Sequence, residues 1–228
     1  MEDEPNPSTL QATPDRASIR TAYIEHILEH GDAPASVFAF AKDIGISERT
    51  FFEHFASFEA LERAIWGDTV DEVAKAVTSG DEWNDFTARE QMLAFFYAFS
   101  EAILDQRSFF LARFPRPAGK SSAPYSSLRC TAKLRSRFRE FAYPVLDSGI
   151  GSGELKQRGP IGDRYPRILT TLFLSVIHFN LSDESEGFAR TDAFIEKSTH
   201  LAFDLMGAGV VDSALDLARF LGGHLRHA

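Results

Sequence analysis

SVFAFAKDIGISERTFFEHFASFEAL, residues 36–61, decides the fold. Ser36 follows Pro34 and can cap a short helix, because its hydroxyl oxygen can accept from an N–H in the first turn. Val37, Phe40 and Ala41 then fall on one face at i, i+3, i+4 spacing. Gly45, bracketed by Ile44 and Ile46, is what a sharp reversal requires, since it reaches positive φ without a Cβ clash. Ser47 can cap a second helix over 48–54, with Phe51 and Phe55 turned inward and Arg49, Thr50, Glu53 and His54 outward. Ser57 caps a third helix that opens with Phe58 and Leu61. Short helix, glycine turn, short polar-faced helix is the helix-turn-helix pattern, whose second helix is offered to the DNA major groove.

Residues 16–66 resemble the N-terminal domain of the TetR/AcrR family of bacterial helix-turn-helix regulators. The resemblance rests on His30-Gly31 ending a first helix, on Ser36-Val37, and on Ile44-Gly45-Ile46-Ser47. It continues through Arg49-Thr50-Phe51-Phe52-Glu53-His54-Phe55 and runs without a gap. It covers under a quarter of the chain. Three positions depart from the family's usual pattern: Phe52 where a Tyr commonly reaches a phosphate, Phe58 where a Lys commonly does, and Glu53 where a basic residue is frequent.

The resemblance implies an all-α protein. A DNA-binding head over 15–66 is joined by a long fourth helix to a ligand-binding and dimerisation bundle within 67–228. It implies operator contacts from Ser36, Lys42, Ser47, Arg49, Thr50, Phe52 and His54, with Arg49 the best candidate for a guanine or phosphate. A homodimer would pair through the last two long helices, at 165–181 and 191–206, using Phe173, Ile177, Phe194, Leu201 and Leu205.

Composition sets the frame for these expectations. With 44% apolar and 25% charged residues over 228 positions, the chain has enough apolar material for a sizeable core. The single Cys130 permits no internal disulfide, which suits a reducing cytoplasm. The N-terminal MEDEPNPSTL is acidic and Pro-rich, so residues 1–14 read as a disordered arm. The longest apolar run, 168–181, is too short to cross a bilayer and reads as a buried helix. Net charge is −9, and over 15–66 five basic residues face nine acidic ones, a net of −4. That sign opposes the phosphate attraction that ordinarily dominates DNA affinity.

Beyond the head the helical period persists. Arg16 opens a helix with Ile19, Tyr23 and Ile27 on one stripe. The helix from Phe58 continues to Ser79-Gly80 with no room for a flexible linker. Thr87 to Glu90 form a capping box that launches a helix through Met92, Phe95, Phe96, Phe99 and Ile103. Residues 115–124 read as a loop, 126–146 as a helix breaking near Gly149, and 210–224 as a last helix.

The 21 Phe concentrate after residue 85. They fit plain core packing, and equally an apolar pocket for an apolar or amphipathic effector lined by Met92, Phe96, Phe99, Phe110, Phe138, Phe141, Phe173 and His178. Between Arg107 and Arg139 lie nine basic residues and no acidic one. This segment reads as a solvated face, as a site for an anionic head group, or as a contact for an acidic surface. No nucleophile, base and orienting acid come together, and His26 with His30 lack a third ligand, so neither catalysis nor a metal or other cofactor is expected.

Two functional readings remain. One is a ligand-responsive repressor on operator DNA. The other is a relative that keeps the scaffold, has lost DNA, and binds hydrophobic molecules or a partner.

Overall fold

The computed structural model describes residues 15–114, 131–157 and 159–207, with backbone only at 160 and 161. The arm at 1–14, the loop at 115–124, the helix start at 126–130 with Arg129 and Cys130, and the helix at 210–224 lie outside the described residues. Those described are helical, with no strand among them. The elements are α1 (Arg16–His30), α2 (Val37–Asp43), α3 (Glu48–His54), α4 (Phe58–Thr78), α5 (Ala88–Asp105), α6 (Arg107–Arg113), α7 (Ala132–Ser152), α8 (Tyr165–Ser182) and α9 (Ala189–Met206). The chain divides into two compact units between Glu62 and Arg63, and α4 runs unbroken across the division point.

The first unit is held by its aromatic side chains. Tyr23, Phe40 and Phe51 are fully buried, and Phe58 stacks on Tyr23 with ring centroids 5.3 Å apart. Phe40 meets Phe51 edge to face at 6.1 Å, tying α2 to α3. The Tyr23 hydroxyl donates to Glu62 Oε1 at 2.6 Å, which satisfies the one polar atom this core contains from α1. Phe58, read as a missing phosphate contact, is half-buried and packs on the core rings Tyr23, Phe40 and Phe51.

In the second unit, the capping box expected at Thr87 is present in full: Glu90 Oε2 accepts from Thr87 N–H, and Thr87 Oγ1 accepts from Glu90 N–H. Around α5 the rings close on one another. Phe138 stacks on Phe173 at 4.2 Å, Phe95 on Phe141 at 4.3 Å, and Phe99 meets Phe173 at 4.7 Å. α7 does not break at Gly149 but continues to Ser152 and ends at Gly153 in the left-handed region. Gly149 serves close approach instead: a Cβ there would come within 2.9 Å of both the Ala88 and Leu155 side chains.

A buried polar cluster locks the end of α8 to its neighbours. Arg107 donates to the backbone carbonyls of Asn180 (2.9 Å) and Asp183 (3.1 Å) and to Asn180 Oδ1 (3.1 Å), and its guanidinium lies over the Phe188 ring. Those carbonyls belong to the last turn and the C-cap of α8, where the regular i to i+4 bonding has ended. Asn180 in turn donates to Ser100 Oγ at 2.6 Å. Asp183 is buried and accepts from Ser185 N–H, Thr191 N–H and Thr191 Oγ1, at 2.9, 2.8 and 2.7 Å.

Desolvation pushes the Asp183 carboxyl up, but these hydrogen bonds, with the Ser185 hydroxyl, outweigh it and hold the group well below the usual carboxylate range. Above the ordinary carboxylate value of about 4 both folded and unfolded chains are ionised, and the stabilisation is fully present. As pH falls below that value the unfolded chain binds the proton first, so stability is lost progressively toward the depressed folded value. Urea midpoints measured from about pH 6 down to about pH 3 should therefore fall for the wild type, and less steeply for Asp183→Asn.

Candidate nucleic-acid interface

The helix-turn-helix is built from local hydrogen bonds that its sequence dictates. Ser36 Oγ accepts from Ala39 N–H at 3.1 Å and Ser47 Oγ from Thr50 N–H at 3.0 Å, so both serines cap their helices. Between them Gly45 takes φ +73°, and Ile46 N–H reaches back to the Ala41 carbonyl at 2.8 Å. Phe51 and Phe55 are buried beneath α3, which turns the opposite face outward.

Of the expected contact residues, Ser36 and Lys42 lie at the cap and in the last turn of α2, and the others at the cap of α3 and along it. Ser36, Lys42, Ser47, Arg49, Phe52 and His54 are exposed and Thr50 is half-buried. Their chemistry is less free than the spacing suggests. Thr50 Oγ1 and Ser47 Oγ are 2.9 Å apart and bond each other. Arg49 Nε lies 3.2 Å from Glu53 Oε1, with the two side chains 90% and 59% exposed. At such exposure an i, i+4 ion pair is worth little, about 0.3–0.5 kcal/mol, so a phosphate or guanine can displace it. Phe38 and Phe52 are large apolar side chains left 63% and 52% exposed. Phe38 was not singled out from the sequence, although its offset from Phe40 and Ala41 on the helical wheel places it on the outer side. His26 and His30 stack at 4.2 Å, and His30 Nδ1 lies 3.1 Å from the His26 carbonyl. No group of three metal-ligating side chains occurs among the described residues.

Most residues of the expected effector site are buried, and one, His178, is exposed. Met92, Phe96, Phe99, Phe110, Phe138 and Phe173 are fully buried, and apart from Met92 each has another ring within 6.1 Å. Phe141 stacks on Phe95. These rings pack on one another across α5, α7 and α8. His178 faces outward from α8, because its neighbour Ile177 takes the inward position. Phe173 and Ile177 are likewise inside the unit's own core and are not available to a partner copy. Leu201 and Leu205 are 60% and 43% exposed, and Phe194 stacks flat on Phe179 at 4.6 Å.

The basic segment is also divided by the fold. Arg107 caps α8, and Arg137 lies 3.2 Å from Asp71 of α4 and 2.7 Å from Glu140. Arg135 and Arg139 line a groove with Arg167, a grouping no sequence spacing announces.

A family model described as "Tetracyclin repressor-like, C-terminal domain" matches residues 91–221, more than half of the chain. The chain belongs to the TetR family. No curated protein matches it. Among solved structures it is similar in fold to the TetR transcriptional regulator from Nitrosomonas europaea ATCC 19718, at 16% identity and a TM-score of 0.56, over 83% of this chain and 98% of that one. It is similar also to a protein assigned to the tetR family from Shewanella sp. PV-4, at 16% identity and a TM-score of 0.55, over 85% and 98%. Members of the family are transcriptional regulators, generally without enzymatic activity, that bind DNA and small-molecule effectors, typically as dimers. Among the described residues no helix is long and apolar enough to cross a membrane.

Proposed function

We propose that this chain is a ligand-responsive transcriptional repressor that binds a two-half-site operator as a homodimer, with no catalytic step. The observation that carries the reading is α3: a buried Phe51 and Phe55 aim an exposed face of Arg49, Thr50, Phe52 and His54 away from the head. Side chains so placed on a capped helix after a glycine turn are the ones a major groove meets. The test is a mobility-shift assay against the DNA upstream of the chain's own gene. A sequence-dependent shift supports the reading, and none at low salt overturns it.

Two half-sites call for two heads, and a second copy is the natural occupant of the apolar surface at Leu201 and Leu205 on α9. Light scattering at micromolar concentration should give twice the mass of one chain. Leu201→Asp with Leu205→Asp should reduce it to a single chain, since two buried carboxylates without partners oppose association. A wild-type monomer would end the dimer.

A second reading is favoured by one specific contact. Arg49 is already engaged by Glu53, in a head of net charge −4 over 15–66. On this reading the scaffold has lost DNA and serves as a binding protein for hydrophobic molecules or a partner.

A further inference from the structure

We propose that the groove between α7 and α8 is a binding site for an amphipathic organic anion, its oxyanion head held by Arg135, Arg139 and Arg167. The groove has a volume of about 490 Å³, within the range of about 300–1,000 Å³ usual for small-molecule sites. Arg135, Arg139 and Tyr143 stand at i, i+4 and i+8, so one stripe of α7 forms one wall. Arg167, Thr171 and Leu174 form the other from α8.

At two of the three guanidiniums the charge is not spent elsewhere among the described residues. Among the described residues neither Arg139 nor Arg167 has a carboxylate partner, although Arg137, on the same helix, is held by Asp71 and Glu140. One acid, Asp163, lines the groove beside three guanidiniums, so its lining is predominantly basic.

The remaining polar groups sharpen the selection. Thr170 Oγ1 donates to the Pro166 carbonyl at 2.6 Å and Thr171 Oγ1 to the Arg167 carbonyl at 2.9 Å, so both hydroxyl protons are occupied within α8. The donors left to a ligand include the Arg139 and Arg167 guanidiniums and the Tyr143 hydroxyl. Planar guanidinium forks fit a carboxylate or phosphate with two parallel hydrogen bonds, and an ammonium or a neutral alcohol finds no comparable partner. Leu174, Pro166 and the Tyr143 ring supply apolar contact for the rest of the molecule.

The site has a route to α4. The same turns of α7 that carry Arg135 and Arg139 carry Lys133 against Gly67 and Arg137 against Asp71. A ligand that draws the first pair toward α8 also loads the second. In this the groove supplies the effector site that the regulatory reading calls for, and its biological role rests on that reading. Its binding does not.

Calorimetry on the full chain without DNA tests it, using octyl phosphate, octanoate, inorganic phosphate, octanol and octyltrimethylammonium below their micellar concentrations. Octyl phosphate or octanoate should bind and raise the melting temperature, octanol and the cation should not, and the better of the two anions identifies the head group. Arg139→Gln and Arg167→Gln, both at exposed positions, should each weaken the anion about tenfold, the loss of one charge-assisted hydrogen bond. No anion binding, equal binding of octanol, or affinity indifferent to both substitutions overturns the site. Because DNA is absent, a failure here leaves the operator assay standing, and a failure to shift DNA leaves the groove standing.

Discussion

Phe173→Ala is expected to destabilise the second unit by about 3–5 kcal/mol, read as a lower urea midpoint at unchanged slope. Phe173 is the hub of the aromatic core. Its ring lies 4.2 Å from Phe138, 4.7 Å from Phe99, 5.6 Å from Phe95 and 6.1 Å from Phe96, with α5, α7 and α8 all contributing. Truncation removes the transfer free energy of the ring and leaves a cavity, and four large flat neighbours cannot collapse into it without leaving their own contacts. Ordinary domains have only about 5–15 kcal/mol to lose. The same measurement separates core from pocket. A ring lining open space would cost little when removed, so a loss below about 1 kcal/mol would return the Phe-rich region to a ligand-binding role.

What the sequence made legible was local. Ser47 before 48–54, Gly45 in the turn, and Thr87 with Glu90 each name a helix boundary, because caps and glycines act within four residues of themselves. Gly149 misled for the same reason: it sits mid-helix to admit Ala88 and Leu155, and a neighbour brought in by folding leaves no mark on the nearby sequence. Nor does Pro144, which removes one donor from the ladder, break α7.

Periodicity found α8 but not its inward face. α8 is apolar on more than one side, and only the packing of α5, α7 and α9 around it assigns Ile177 to the core and His178 to the outside. The groove was least legible of all. Arg135 and Arg139 stood out as part of a basic run, but their partner Arg167 comes from another helix.

At the recognition helix two substitutions four residues apart should act with opposite signs. Arg49→Ala is expected to weaken operator binding by about 1–3 kcal/mol if Arg49 reads a base, and uniformly across sequences with a shallower salt slope if it meets a phosphate. Glu53→Gln should strengthen binding. It removes an exposed negative charge from the face turned to a polyanion, and it releases the Arg49 guanidinium from its 3.2 Å contact. The i, i+4 pair costs little to lose in folding, so the change appears in DNA affinity with the melting temperature nearly unmoved. The two residues share one interaction, so their effects should not add: in the Arg49→Ala background Glu53→Gln retains only its repulsive part. Filter-binding titrations of the four proteins at two salt concentrations measure the whole cycle. If Glu53→Gln leaves affinity unchanged, α3 does not face the phosphates; if none of the four proteins binds at the lower salt concentration, the reading in which this head has lost DNA replaces the repressor.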